Sequence, residues 1–155
     1  MENDDRSNDK AAFDSEAFFR SGNFGSSHPD LRIPPPSFRE SGATIVAHEP
    51  NESLTVKFSV REGQTNPVGF LQGGILCSFF DDSFGPLAFA TLKKPCLSID
   101  MNITFVRATK PGDCLTIVAR IISKTRKLLQ MSAEARNERG KLVATATSNL
   151  LVYEP

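Results

Sequence analysis

The sequence predicts an α+β domain in which a right-twisted antiparallel sheet of about six strands curls around one long helix. Three observations predict it. Only one long segment, Gly73 to about Thr91, reads as helix. Strand-like runs separated by turn signals account for most of the chain after Gly42. The helix itself is apolar around most of its circumference, carrying Ile75, Leu76, Phe79, Phe80, Phe84, Leu87 and Phe89. A helix of that kind is buried rather than laid on a surface. At 155 residues the chain has room for one domain. Its 12 phenylalanines and 39% hydrophobic content can supply the core.

Taken in order, residues 1–10 are polar and acidic and read as disordered. Residues 12–20 place Phe13, Phe18 and Phe19 around Asp14-Ser15 and predict a short helix. Ser21 to Pro36 is rich in Gly, Ser and Pro and reads as a linker or an extended arm. The chain therefore divides into an N-terminal arm, 1–36, and a domain, 37–155. Ala43–His48 is apolar and β-rich, and Leu54–Val60 alternates with period two. Glu49–Ser53 is the turn of that hairpin. Residues 63–69 form a loop before the helix, in which Pro86 removes a hydrogen bond and predicts a kink. Four further strands are expected at 96–106, 114–122, 127–136 and 141–153, with turns at 110–113, 124–126 and 137–140. The element order is ββαββββ.

Charge and composition exclude several function classes. Lys+Arg and Asp+Glu are both 18. A nucleic-acid binder normally shows a basic excess. The balance hides an acidic segment, 1–30, with net charge −4, and a remainder of +4. The only histidines are His28 and His48, so a histidine-rich metal site is excluded and no metal is expected. Cys77, Cys96 and Cys114 are odd in number and contain no C-x-x-C. They read as reduced, partly buried thiols of a cytosolic protein rather than a disulfide framework or a zinc site. The acidic N-terminus is no signal peptide, and no apolar run approaches the roughly 20 residues of a membrane span. A soluble, cytoplasmic protein is expected.

The chemically informative stretch is Asn66-Pro-Val-Gly-Phe-Leu-Gln72-Gly73-Gly74, followed by Asp81-Asp82. Each glycine inside a helix costs roughly 1 kcal/mol against alanine. Two at a helix start leave the first N–H groups bare at the positive end of the dipole, a site for negative charge or an oxyanion. The same pair also suits a tight loop-to-helix turn. Asp81 lies on a strip with Gly74, Ser78 and Gly85, at near-helical spacing. It reads either as a general base or nucleophile facing a cleft, or as a paired or exposed structural carboxylate. Asp82 points about 100° away and reads as solvated or salt-bridged.

The motif N-x-x-G-x-x-Q-G-G-x6-D, the strand Ser98-Ile-Asp-Met-Asn-Ile-Thr-Phe105 and the run Gly140-Lys-Leu-Val-Ala-Thr145 resemble the hotdog-fold acyl-CoA thioesterases. The branch is PaaI-like, the group that includes acyl-CoA thioesterase 13. The resemblance covers roughly Ser37 to Val152. It implies a hotdog fold and hydrolysis of an acyl-CoA thioester to free acid and CoA. Asp81 would activate water or attack the carbonyl directly, and the Gly73 N–H would bind the oxyanion. Asn66 would help place the nucleophile and Ser98 would help orient water. Gly74 would contribute to substrate binding, and Arg107, Lys110, Lys124, Arg126 and Lys127 would contact CoA. Those basic residues also fit ordinary solvated turns. Phe80 and Phe84 are expected to shape the acyl pocket. No cofactor is implied beyond the coenzyme A of the substrate. Asn66 and Gly73 of one subunit would face Asp81 and Ser98 of another, in a dimer or a dimer of dimers. Gln72 departs from the pattern, since relatives usually carry histidine there. An amide donates a hydrogen bond but does not titrate. The rival readings are a non-catalytic acyl-CoA-binding hotdog protein and a hotdog hydratase or dehydratase. The second of these requires a histidine paired with an acid.

Overall fold

The computed structural model describes residues 13–21 and 29–154. The predicted disorder at 1–10, and the linker between 22 and 28, lie outside the described residues. The elements are α1 (Ser15–Ser21), α2 (Pro36–Glu40), β1 (Thr44–Glu49), β2 (Ser53–Ser59), α3 (Gly73–Leu92), β3 (Cys96–Phe105), β4 (Cys114–Lys124), β5 (Leu128–Asn137) and β6 (Leu142–Val152). A 3-10 turn at Glu62–Gln64 precedes α3. All six strands form one sheet in the order β1-β2-β4-β5-β6-β3, and every neighbouring pair is antiparallel. The expected α+β architecture is what forms.

The core lies between α3 and the concave face of the sheet. Phe79, Phe80, Phe84, Leu87 and Ala88 are at most 1% exposed. They meet Leu54, Val56 and Phe58 of β2 and the buried faces of β4, β5 and β6 in one continuous cluster. The Phe58 and Phe79 rings stack at 4.4 Å. Burying side chains of this size contributes about 1.5–3 kcal/mol each. The strands alternate because only one face packs inward, as in β5, where Leu129, Met131, Ala133 and Ala135 are buried. The helix continues as one segment across Pro86. Its length and mean hydropathy match a membrane span, yet most of it is buried in this core.

Two short helices fasten the arm to that core. Asp14 caps α1, its Oδ1 accepting from the Glu16 and Ala17 N–H groups at 2.9 Å. The Ser15 hydroxyl accepts from the Ile45 N–H and so binds edge strand β1. Phe18 and Phe19 are buried, and Phe19 meets Phe38 of α2 edge-on at 5.2 Å. The sequence reading ended the linker at Pro36. The structure instead starts α2 there, because proline is pre-organised for the first helical position.

Asp82 is a correction. It is neither solvated nor ion-paired but buried, and its Oδ1 accepts from the Ser37 hydroxyl at 2.8 Å. Among the described residues its Oδ2 has no hydrogen-bond partner. Burial pushes its pKa above the ordinary value, the Ser37 and Ser41 hydroxyls partly offset this, and the Asp81 charge adds to the rise.

A raised folded-state pKa makes the protonated form the one that favours folding. That contribution is complete below the ordinary carboxylate pKa of about 3.9 and is lost as pH climbs through the raised value. Asp82→Asn does not titrate. The unfolding free energy of wild type relative to this variant is therefore expected to fall as pH rises from about 4 toward neutrality. Urea unfolding at a series of pH values measures the difference, and a flat difference would contradict the assignment.

Candidate active site

The loop before α3 is organised around Asn66. Its side-chain Oδ1 accepts from the Val68 and Phe70 N–H groups, both at 3.1 Å, and its own N–H donates to the Phe70 carbonyl at 2.7 Å. That leaves the Asn66 Nδ2 as the side-chain donor available to the cleft. The Leu71 N–H donates to the Thr109 carbonyl and the Gln72 N–H to the Gln64 carbonyl, so the loop is held from both sides. Asn66, Gly73, Phe105 and Arg107 then line one cavity of about 320 Å³.

Gln72 is the N-cap of α3. Its Oε1 accepts from the Ile75 N–H at 2.9 Å, satisfying the third N–H of the helix. Among the described residues, the Gly73 and Gly74 N–H groups donate to no protein acceptor. The two glycines also admit close neighbours. A Cβ on Gly73 would come within 3.2 Å of the Phe105 ring, and one on Gly74 within 2.9 Å of the Gln72 Oε1. Neither the capping by Gln72 nor the ring of Phe105 over Gly73 was legible in the sequence. The only signal for Phe105 was its position at the end of the motif strand.

Two helical turns further on, Asp81 is exposed and its Oδ1 accepts from the Ser98 hydroxyl at 2.7 Å. A bulge in β3 between Ser98 and Asp100 makes this contact possible. Cys96 and Ser98 face the helix before it, and Met101, Ile103 and Phe105 face it afterwards. Asp100 is held by the Asn149 backbone N–H and amide, at 3.0 and 2.8 Å, and so fixes the bulge.

The predicted site residues thus fall into two groups. Asn66, Gln72, Gly73 and Gly74 sit at the start of α3, while Asp81 and Ser98 sit beside its middle. Asp81 lies eight helical steps after Gly73, about 12 Å at 1.5 Å per step. The basic residues divide as well. Arg107 lines the Gly73 cavity, and Lys110 lies 5.8 Å from the Phe70 ring centroid. Lys124 reaches the Thr91 carbonyl near the far end of α3, and Lys127 pairs with Glu154 at 3.9 Å. Arg126 is exposed in the same turn. His48 takes no part in either group. Its ring meets Phe18 edge-on, and burial, with Lys93 adding to it, lowers its pKa.

A long helix wrapped by a six-stranded antiparallel sheet is the architecture of the hotdog-fold thioesterases. The chain belongs to the thioesterase superfamily, whose sequence pattern matches residues 68–144. It is 34% identical over 104 residues to mouse (Mus musculus) acyl-coenzyme A thioesterase 13, across 65% of this chain and 73% of that one. A phenylacetic acid degradation-related protein of Ralstonia eutropha JMP134 superposes with a TM-score of 0.73 at 30% identity, covering 83% of this chain and 98% of that one. Thioesterase superfamily member 2 of Mus musculus superposes with a TM-score of 0.70 at 26% identity, covering 89% and 96%.

Gln72→Ala removes the side-chain cap of α3 and is expected to lower stability by about 1 kcal/mol. Chemical denaturation reads the change. An unaltered midpoint would show that the cap contributes nothing.

Proposed function

We propose that the protein hydrolyses acyl-CoA thioesters in sites shared between two copies of the chain. The observation that carries this reading is the Ser98–Asp81 hydrogen bond, about 12 Å along the helix from the open Gly73 N–H. A base and an oxyanion donor acting on one carbonyl must each lie within about 3 Å of it. One helix cannot meet that requirement by itself. Two helices running antiparallel across a two-fold axis meet it twice, each Gly73 facing the other copy's Asp81. The edge strand β3 favours such pairing. It ends the sheet and exposes Leu97 and Ile99, each more than half accessible. An uncovered apolar edge strand is a template for another strand.

The thioester carbonyl would lie against the Gly73 N–H, with the Asn66 Nδ2 beside it. Asp81, steadied by Ser98, takes a proton from water as that water attacks the carbonyl carbon. The oxyanion gathers at the positive end of the partner helix. Its collapse breaks the C–S bond, releasing CoA thiolate and the free acid. Arg107, Lys110, Lys124, Arg126 and Lys127 would receive the phosphates of CoA. The mouse relative's name, an acyl-coenzyme A thioesterase, supports the acyl-CoA substrate. Gln72 fits this scheme because no step uses a titrating group at its position.

Two variants and their mixed dimer test the scheme. Asp81→Asn removes the base and is expected to lower kcat by roughly 10²–10⁴. Gly73→Pro deletes the proposed oxyanion N–H at the first helical position, which proline tolerates. Gln72 already has φ −69° and ψ 134°, which a following proline accepts. The Phe105 ring, 3.2 Å from a Cβ at this position, must give by a few tenths of an ångström, so circular dichroism checks the fold; the expected loss is about 10²–10³ in kcat. Co-expression of the two variants yields mixed dimers carrying one intact site each, so activity should recover to about a quarter of wild type. Release of CoA, followed with a thiol reagent, reports all three. No recovery in the mixed dimer would refute the shared site.

A further inference from the structure

Strand β3 departs from its own alternation. Along Cys96–Phe105 the apolar residues Leu97, Ile99, Met101, Ile103 and Phe105 stand at every second position, with Ser98, Asp100, Asn102 and Thr104 between them. A regular strand of that pattern turns all five apolar side chains to the helix and all four polar ones away. β3 does so only from Met101 onward. Ser98 pairs with Leu150 and Asp100 with Asn149, so Ile99 is an extra residue and the two halves of the strand face opposite ways. Ser98 thereby reaches Asp81 at 2.7 Å, while Leu97 and Ile99 are left 57% and 56% exposed. A slip of one residue, without the bulge, would set Ile99 opposite Leu150 in place of Ser98. It would also turn the Ser98 hydroxyl to the outer face.

Three hydrogen bonds from β6 hold the bulge. The Ser148 hydroxyl donates to the Asp100 carbonyl at 2.7 Å, the Asn149 N–H to Asp100 Oδ1 at 3.0 Å and the Asn149 Nδ2 to Asp100 Oδ2 at 2.8 Å. Ser148 is 1% exposed, so the first of these also satisfies a buried hydroxyl. Asp100 and Asn149 lie on the outer face of the sheet, opposite the helix. We propose that Asp100, Asn149 and Ser148 are positioning residues for the hydrolysis: they hold β3 in its bulged register against its apolar alternation, and so turn Ser98 onto Asp81. The proposal rests on the hydrolase reading above, which makes Asp81 the base. What the clamp requires at position 100 is hydrogen bonding rather than charge. An amide there keeps both side-chain bonds, its Oδ1 accepting from the Asn149 N–H and its Nδ2 donating to the Asn149 Oδ1 once that amide turns over. Alanine keeps neither.

Kinetics and register test the clamp separately. Asp100→Ala should lower kcat roughly 10- to 100-fold, the loss expected for a hydrogen bond to a charged group, with KM little changed. Asp100→Asn should stay close to wild type. In a Ser98→Ala background, Asp100→Ala should cause no further loss, because both substitutions remove the same contact. Losses that multiply, or an Asp100→Asn enzyme as impaired as Asp100→Ala, would overturn the proposal. A crystal structure of Asp100→Ala reads the register without reference to activity. Ile99 facing Asp81 in place of Ser98 is the expected result, and an unmoved Ser98–Asp81 bond would overturn the proposal. Asn149→Ala removes one of the three bonds and gives the same reading if Asp100→Ala does not fold. A shifted register with unchanged kcat would uphold the clamp and overturn the role of Asp81 instead.

Discussion

The structure depends on one constraint: α3 must be buried around most of its circumference and open along one strip. Phe79, Phe80, Phe84 and Leu87 cannot face water together, so the sheet has to curl around them. Right-handed strand twist supplies that curl, and the small residues Ala133, Ala135, Ala144 and Ala146 make space for the rings. The strip of Gly74, Ser78, Asp81 and Gly85 is what remains uncovered. Its residues are small or charged because any large apolar group there would have nothing to pack against within one chain.

Asp81 and Asp82 show how that constraint sorts two identical side chains. One helical step of about 100° carries Asp81 to the open strip and Asp82 into the junction with α2. The exposed carboxylate gains a hydroxyl donor from β3 and stays accessible. The buried one holds α2 through Ser37 and leaves an oxygen unpartnered, a cost that its raised pKa expresses. Sequence adjacency alone suggests a pair of equivalent acids. Packing leaves one accessible on the open strip and uses the other to attach α2.

The sheet and the long helix were legible because both rest on periodicity. Period-two burial in β2, β4 and β5 and the ring of apolar residues in α3 are written directly in the residues. The open strip was legible for the same reason. What escaped depends on contacts distant in sequence. The burial of Asp82 requires Ser37, 45 positions away, and α2 was obscured by a proline run that normally signals a linker. Gln72 was marked as a departure from a motif, but its role as a cap is a matter of side-chain geometry. An apolar groove beside Gly85 is made by two segments, the arm and α3, that have no common pattern. Phe80 and Phe84, expected from sequence to shape the acyl pocket, are fully buried on the sheet side and do not line it.

The distance along α3 is also the reason the proposed site takes two copies of the chain. Binding negative charge needs the helix start, since only there are N–H groups free and the dipole positive. A carboxylate placed at that same end would repel the oxyanion and, near the bare N–H groups, would itself occupy them. The base is better held two turns away, where a strand can support it with a hydroxyl. In the proposed site that separation keeps the two groups from interfering within one chain, and it leaves each incomplete without a second copy. A second, antiparallel helix restores the proximity without bringing the carboxylate to its own helix start. The exposed edge of β3 is then the natural seam, because strand pairing there sets the register of the two helices as well as covering Leu97 and Ile99.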